Sequence, residues 1–320
     1  MAKKILITGG AGFIGTNFAY YMANKHPHDD LVVLDKLTYA GNKNNLTALI
    51  KSGKARFIKG DIANKKFITA LFKKEKFDVV VNFAAETHVD RSIVLPAVFV
   101  MTNVVGTHNL LEASREFGAP RYHQISTDEV YGDLGRDSKD FFTEDTPLAP
   151  TSPYSSSKAA SDLLVQAYFK TYGLFATISR CSNNYGPYQF PEKLIPFFFK
   201  LARSDKPLPL YGDGKNIRDW LFVEDHCEAI DLILQKASPG AIYNIGGNTE
   251  RNNIEIAHLI LEFLKKPRTL IKYVKDRLAH DQRYAIDSSK IKKELGWKPR
   301  TSFENGIKLT FEWYKNNKYL

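Results

Sequence analysis

Cysteine is scarce in this chain of 320 residues, with Cys181 and Cys227 the only two. No C-x-x-C or Cys/His ligand spacing accompanies them, which argues against a disulfide framework and a zinc site, so no metal is expected. A reducing, cytoplasmic setting fits that usage. Long hydrophobic runs are also missing, since nothing approaches the roughly 20 apolar residues that span a bilayer. The opening run Lys4-Ile5-Leu6-Ile7 stops at Thr8-Gly9-Gly10, too short for a signal-peptide core, and reads as a first β-strand. Phe197-Phe198-Phe199 is only an aromatic cluster within a short helical stretch, so no membrane partner is expected. Blocks of one charge are absent as well. Lys and Arg number 45 against 35 Asp and Glu, but the lysines are scattered and no aromatic RNA-binding signature interleaves them. Nucleic acid is therefore not expected as a partner, and small anionic substrates account for part of the basic excess.

What remains is an ordinary globular composition, 43% hydrophobic and 25% charged, on a chain long enough for two lobes. Apolar β-rich runs at Lys4 to Thr8, Leu31 to Asp35, Arg56 to Ile58, Asp78 to Phe83, Arg121 to Ser126 and Phe175 to Ser179 alternate with helical patterns. The helical patterns include Phe13 to Lys25, Ala97 to Phe117 and Pro153 to Tyr172, the last with Ser152 as cap and Pro153 in the first turn. That alternation predicts an α/β fold, a doubly wound parallel sheet of the Rossmann type. After Arg180 the texture turns to proline, asparagine and glycine, which predicts a second, smaller α/β substrate-binding domain interleaved in sequence. A helix from about Glu224 to Lys236 and a strand near Ala241 to Ile245 return to the main sheet. The expected division is 1–180 with 219–245 for the dinucleotide domain, and 181–218 with 246–320 for the substrate domain.

Gly9, Gly12 and Gly15 fall directly after the first predicted strand and open the first predicted helix. Glycine lets the backbone approach a pyrophosphate, and the helix N-terminus offers free N–H groups to its charge. Asp35 ends the second strand, placed to accept hydrogen bonds from the adenosine ribose and to repel a 2′-phosphate, so NAD is expected over NADP. Asp61-Ile62 and Phe83-Ala84-Ala85 follow the third and fourth strands, where adenine and the middle of the cofactor fall.

Tyr154 and Lys158 share one helix face, and a neighbouring ammonium is expected to lower the phenol's pKa and make it a base. Ser126-Thr127-Asp128-Glu129 follows the strand Arg121 to Ile125 at its carboxyl end, the edge where ligands bind in doubly wound sheets. Two adjacent carboxyls in a desolvated pocket do not both ionise easily, so one stays protonated as an acid while the other serves as a base.

At TGGAGFIG (8–15), DKLTYAGN (35–42), FAAETHVDRS (83–92), STDEVYG (126–132), SPYSSSK (152–158), SNNYGPYQFPEKLIP (182–196) and RDWLFVEDH (218–226), the chain resembles the extended short-chain dehydrogenase/reductase family, in particular its nucleotide-sugar 4,6-dehydratases. The resemblance runs from end to end. It implies NAD-dependent lyase chemistry on a small-molecule nucleotide sugar in deoxysugar synthesis: oxidation at C4, loss of water across C5 and C6, and return of the hydride to C6. Tyr154 would take the C4 hydroxyl proton, Thr127 bond the C4 oxygen, Glu129 remove the C5 proton and Asp128 protonate the leaving hydroxyl. Lys158 would also hold the nicotinamide ribose. Around the cofactor the resemblance adds Phe13, Ile14, Lys36, Leu37, Thr38, Thr102 and Asn184. Around the substrate it places Thr87, Asn183, Lys193, Leu194, Pro209, Tyr211, Arg218, Asn253, Arg277 and His280, with Arg218 and Lys193 suited by charge to a diphosphate. It also implies a homodimer packed through the helices at Ala97 to Phe117 and Pro153 to Tyr172. Thr87 stands where serine is usual, Leu278-Ala279 where Pro-Gly is usual and Gln282 where arginine is usual, which leaves thymidine or uridine open at the nucleotide end. A related 4-epimerase or decarboxylase would share Tyr154, Lys158 and the NAD site without needing the Asp128/Glu129 pair. A non-catalytic sugar-nucleotide binder would show a broken catalytic set, and none is missing here.

Overall fold

The computed structural model describes residues 2–276, 280–317 and 319. In chain order the strands are β1 (Lys4–Thr8), β2 (Asp30–Asp35), β3 (Ala55–Lys59), β4 (Val79–Asn82), β5 (Arg121–Thr127), β6 (Ala176–Cys181), β7 (Asn183–Tyr185), β8 (Leu208–Tyr211), β9 (Ile217–Phe222), β10 (Ile242–Ile245), β11 (Glu250–Asn252) and β12 (Ile271–Val274). Seven of them form one parallel sheet in the order β10-β6-β5-β4-β1-β2-β3. Ile5-Leu6-Ile7, Leu31 to Leu34 and Val79-Val80-Val81 are buried throughout because helices cover both faces, which is why these strands read as unbroken apolar runs rather than alternating ones. The order reverses between β1 and β4. Connections on the two sides of that point run to opposite faces, and a crevice opens above the strand ends.

The helices Phe13–Lys25 and Val223–Lys236 pack on one face through Phe18, Met22, Ile230 and Leu234. On the other face Leu110 and Leu111 of Gly106–Glu116 and Val165 and Tyr168 of Pro153–Tyr172 close the second core. Each such large apolar side chain, taken from water, contributes about 1.5–3 kcal/mol. The helix Pro153–Tyr172 begins as its sequence predicts: Ser152 and Ser155 form a reciprocal capping box, Pro153 sits in the first turn, and Gly173 ends the helix in the left-handed conformation at φ 68°. Inside it Asp162 meets the Arg180 guanidinium at 2.9 Å, both buried, tying the helix to β6.

The stretch predicted as a helix from Ala97 to Phe117 is helical but not uniform. It runs as Pro96–Phe99, a wider π-type turn over Val100–Val105, then Gly106–Glu116, with a separate helix Val89–Val94 before Pro96. Proline supplies no N–H and forces the preceding Leu95 out of helical geometry, to ψ 59°. A smaller lobe carries β7, β9 and β11 as one sheet, with β8 and β12 paired apart, around the aromatic cluster of Phe198, Phe199, Trp220, Phe311 and Tyr314. Residues 219–222, expected with the main lobe, pair with β7 and β11 in the small sheet, while Leu221 packs with Tyr243 and Ile245 of β10. The physical reason is local: β9 is flanked by partners on both edges, while β10 alone extends the main sheet beside β6. Among the described residues no helix is long and apolar enough to cross a membrane.

Candidate active site

β1 ends in Thr8, and the chain turns at Gly9 with φ +64°, a conformation that favours glycine. A Cβ on Gly9 would meet the Ala84 backbone nitrogen at 2.6 Å, and one on Gly15 would meet the Gly9 carbonyl oxygen at 2.5 Å. The turn therefore brings the start of the helix Phe13–Lys25 close to β4, and Gly12, at the helix N-cap, has no side-chain cap, leaving its first N–H groups for a ligand. Asp35 accepts hydrogen bonds from Ala11 N at 3.0 Å and Leu37 N at 2.7 Å. Burial raises the Asp35 pKa, and those two backbone donors work against the rise. Lys36 pairs with Asp61 at 2.6 Å, joining the ends of β2 and β3.

One continuous cleft is lined by Gly9, Gly12, Phe13, Ile14, Gly15, Asp35, Lys36, Thr38, Asp61, Ile62, Phe83, Ala84, Ala85, Thr102 and Asn184, and at its inner end by Thr127, Asp128, Glu129, Tyr154 and Lys158. Thr87, Asn183 and Lys193 line it too. An adjoining pocket is lined by Glu129, Asn183, Lys193, Leu194, Pro209, Tyr211, Arg218, Asn253 and His280. Glu129, Asn183 and Lys193 thus face both chambers. Among the described residues one expected residue, Leu37, is not in these walls. Leu37 sits at φ 59°, gives its N–H to Asp35, and packs its side chain on the main core rather than into the cleft. Arg277 lies outside the described residues, as do Leu278 and Ala279.

At the inner end Thr127 caps the short helical turn Asp128–Tyr131, accepting from Glu129 N at 3.3 Å, while its hydroxyl donates to Asp128 Oδ1 at 3.3 Å. Burial, the Glu129 carboxyl and Asp219 push the Asp128 pKa well above the usual carboxylate range, and Arg218 offsets only part of this. The protonated, donating form of Asp128 is therefore favoured. Tyr154 is 7% exposed; burial, then Glu129, push its phenol well above its ordinary value, with the neighbouring Thr127 side chain acting the other way. The expected lowering by Lys158 does not occur here. The Lys158 ammonium is itself disfavoured by burial and donates to the Ile125 carbonyl at 2.6 Å, while burial and Glu129 outweigh it at the phenol.

Glu86 Oε2, Asp128 Oδ2 and Gln189 Oε1 are buried in the cleft wall without a hydrogen-bond partner among the described residues. Such atoms gathered in one wall mark a space fitted to a polar ligand. Together with the glycine turn, which a Cβ would block, they fit a dinucleotide. Gly15→Ala is expected to weaken dinucleotide binding at least tenfold, about 1.4 kcal/mol, in a titration of the stripped protein. Glu86, Gln189, Phe190 and Glu192 were not anticipated as wall residues; all but Glu86 come from a connection with no local motif beyond the family-like string around it. Gln282 accepts from Arg136 at 2.7 Å, and Arg136 also holds Asp213 at 2.8 Å.

A family model described as GDP-mannose 4,6 dehydratase matches residues 6–310. The chain is 53% identical to the dTDP-glucose 4,6-dehydratase of Xanthomonas campestris pv. campestris (strain B100), over 98% of this chain and 93% of that protein. Among solved structures it is similar to a dTDP-glucose 4,6-dehydratase of Bacillus anthracis in complex with NAD, with a TM-score of 0.92, 48% identity, and coverage of 99% and 98% of the two chains. It is similar as well to the Streptomyces venezuelae enzyme of that name with NAD bound, at a TM-score of 0.95, 45% identity and 98% coverage of both chains. With the seven-stranded parallel sheet, the glycine turn and the Tyr154/Lys158 helix in place, these likenesses settle the kinship: the chain belongs to the family of nucleotide-sugar 4,6-dehydratases, within the extended short-chain dehydrogenases/reductases.

Proposed function

We propose that this chain is a dTDP-glucose 4,6-dehydratase that uses NAD and converts dTDP-glucose to dTDP-4-keto-6-deoxy-glucose and water. The observation that carries the reading is that Asp128 and Glu129 share the inner end of the cleft with Tyr154, with Asp128 favoured in its protonated form. NAD, when bound, supplies the hydride acceptor and donor and a positively charged ring that favours deprotonation of the buried Tyr154. Tyr154 takes the proton of the C4 hydroxyl while Thr127 bonds the C4 oxygen. Once C4 is a ketone, the C5 proton is acidic and Glu129, which faces both chambers, removes it. Asp128 gives its proton to the C6 hydroxyl, which leaves as water. The hydride taken from C4 returns to C6 and a proton returns to C5, so no cofactor is consumed. Lys158 keeps the helix and strand in register through Ile125 and is placed to hold the nicotinamide ribose.

Arg218 and Lys193 bring positive charge to the second pocket, which suits a diphosphate, and Asn183, Leu194, Pro209, Tyr211, Asn253 and His280 complete its wall. A 4-epimerase would use the Tyr154 half of this site and leave Asp128 and Glu129 without a task. A homodimer is supported by an apolar band on the helices flanking Tyr154: Val94, Leu95, Val98, Val100, Met101 and Leu163 are all exposed. A cytoplasmic location accords with the two free, buried cysteines. The test is incubation with dTDP-glucose and, separately, UDP-glucose, followed by mass spectrometry of the sugar nucleotide. Loss of one water from dTDP-glucose is the expected result, and an unchanged mass with a galactose product would replace this reading by epimerisation.

A further inference from the structure

The connection between β7 and the helix Leu194–Arg203 crosses from the small lobe to the main lobe and lies along the mouth of the dinucleotide cleft. Its inner side, through Gln189, Phe190, Glu192 and Lys193, is cleft wall. Gly186 and Tyr188 are also held from the small lobe by Tyr314, Trp313 and Tyr319, and the remaining contacts reach the opposite rim. Asn17 Nδ2 donates to the Pro187 carbonyl at 2.9 Å, and Tyr20 stacks on Tyr188 with ring centroids 5.9 Å apart. Tyr39, in the turn that follows Asp35, packs edge-on against Phe190 at 5.6 Å and gives its hydroxyl hydrogen to Glu192 Oε1 at 3.1 Å. The Arg91 guanidinium lies 3.7 Å from the centre of the Tyr39 ring, and His88 Nε2 stands 3.9 Å from Glu192 Oε2. Lys193 donates to the Thr87 carbonyl at 2.8 Å. Tyr39, Arg91 and Glu192 therefore join three segments far apart in sequence beside the mouth of the cleft.

We propose that Tyr39 and Glu192 are positioning residues, a latch that holds the segment 186–193 closed over the bound dinucleotide. The inference rests on the NAD-binding reading above. Glu192 and Lys193 also line the adjoining pocket, so one movable wall serves both chambers. A diphosphate bound beside Lys193 stabilises the closed wall and slows cofactor loss, since two ligands that favour one state favour each other.

Tyr39→Phe keeps the ring under Arg91 and against Phe190 and removes only the hydroxyl. Glu192→Ala removes the acceptor. A hydrogen bond to a charged group, when lost, corresponds to a rate change of roughly 10- to 100-fold. The measurement is NAD release from the holoprotein, followed by rapid gel filtration and assay of retained nucleotide during a chase with excess unlabelled NAD. Each variant should release NAD roughly 10- to 100-fold faster than the parent, the double variant no faster than the faster single one, and dTDP should slow release from the parent. Release at the parental rate from both variants, additive effects in the double variant, or no response to dTDP would overturn the latch. Should Glu192→Ala fail to fold by circular dichroism, Tyr39→Phe alone decides the matter. A parent that carries no NAD at all would instead count against the cofactor reading, so the two failures are distinguishable.

Discussion

Glu129→Gln should leave the protein able to oxidise dTDP-glucose at C4 and unable to expel water. The substitution keeps the size of the side chain and removes the base. Turnover should fall by roughly 10²–10⁴-fold, the usual worth of a positioned general base. Reduced cofactor should remain on the protein, visible by its near-ultraviolet absorbance, while mass spectrometry finds no dehydrated product. The separation of stages is expected because Tyr154 and Thr127 line only the first chamber, while Glu129 lines both. Glu129 also raises the pKa of both Asp128 and Tyr154, so its neutral replacement lowers both. Normal turnover in this variant would remove Glu129 from the mechanism.

Tyr154→Phe should block one step earlier. Without the phenol the C4 hydroxyl loses its base, since Lys158 donates to Ile125, burial and Glu129 raise the Asp128 pKa, and Glu129 is the base assigned to C5. A fall in turnover of roughly 10²–10⁴-fold is again expected, but here the cofactor stays oxidised when substrate is added. The ring should still pack against Phe99, 6.3 Å away between centroids, so the fold is retained. The contrast between the two variants locates each residue in the sequence of events. If Tyr154→Phe accumulated reduced cofactor as Glu129→Gln does, the oxidation would have another base.

The main sheet was legible because its strands are buried on both faces and so appear as continuous apolar runs, and because Ser152, Pro153 and Gly173 mark helix ends by their own backbone chemistry. The glycine turn was legible for the same kind of reason: positions 9 and 15 have no room for a Cβ. What could not be read depends on three-dimensional direction rather than spacing. Tyr154 and Lys158 do share a helix face, but spacing reveals neither the burial and the Glu129 carboxyl that raise the phenol's pKa nor that the ammonium donates to the Ile125 carbonyl. Leu37 lies within a family-like string yet points into the core, because only its backbone serves Asp35. The rim contacts of Tyr39, Arg91 and Glu192 join positions separated by most of the cleft and carry no local pattern. The π-type turn at Val100–Val105 likewise has no composition that distinguishes it from a regular helix.

The central claim is that one hydrogen is borrowed from C4 and given back at C6 around an elimination carried out by Asp128 and Glu129. The direct measurement uses dTDP-glucose carrying deuterium at C4, incubated with the holoprotein without added cofactor, with the product read by mass spectrometry and NMR. The account predicts a product lighter by one water with the deuterium now on C6 and a solvent hydrogen at C5. Deuterium lost to solvent, retained at C4, or present in a product of unchanged elemental composition would contradict it.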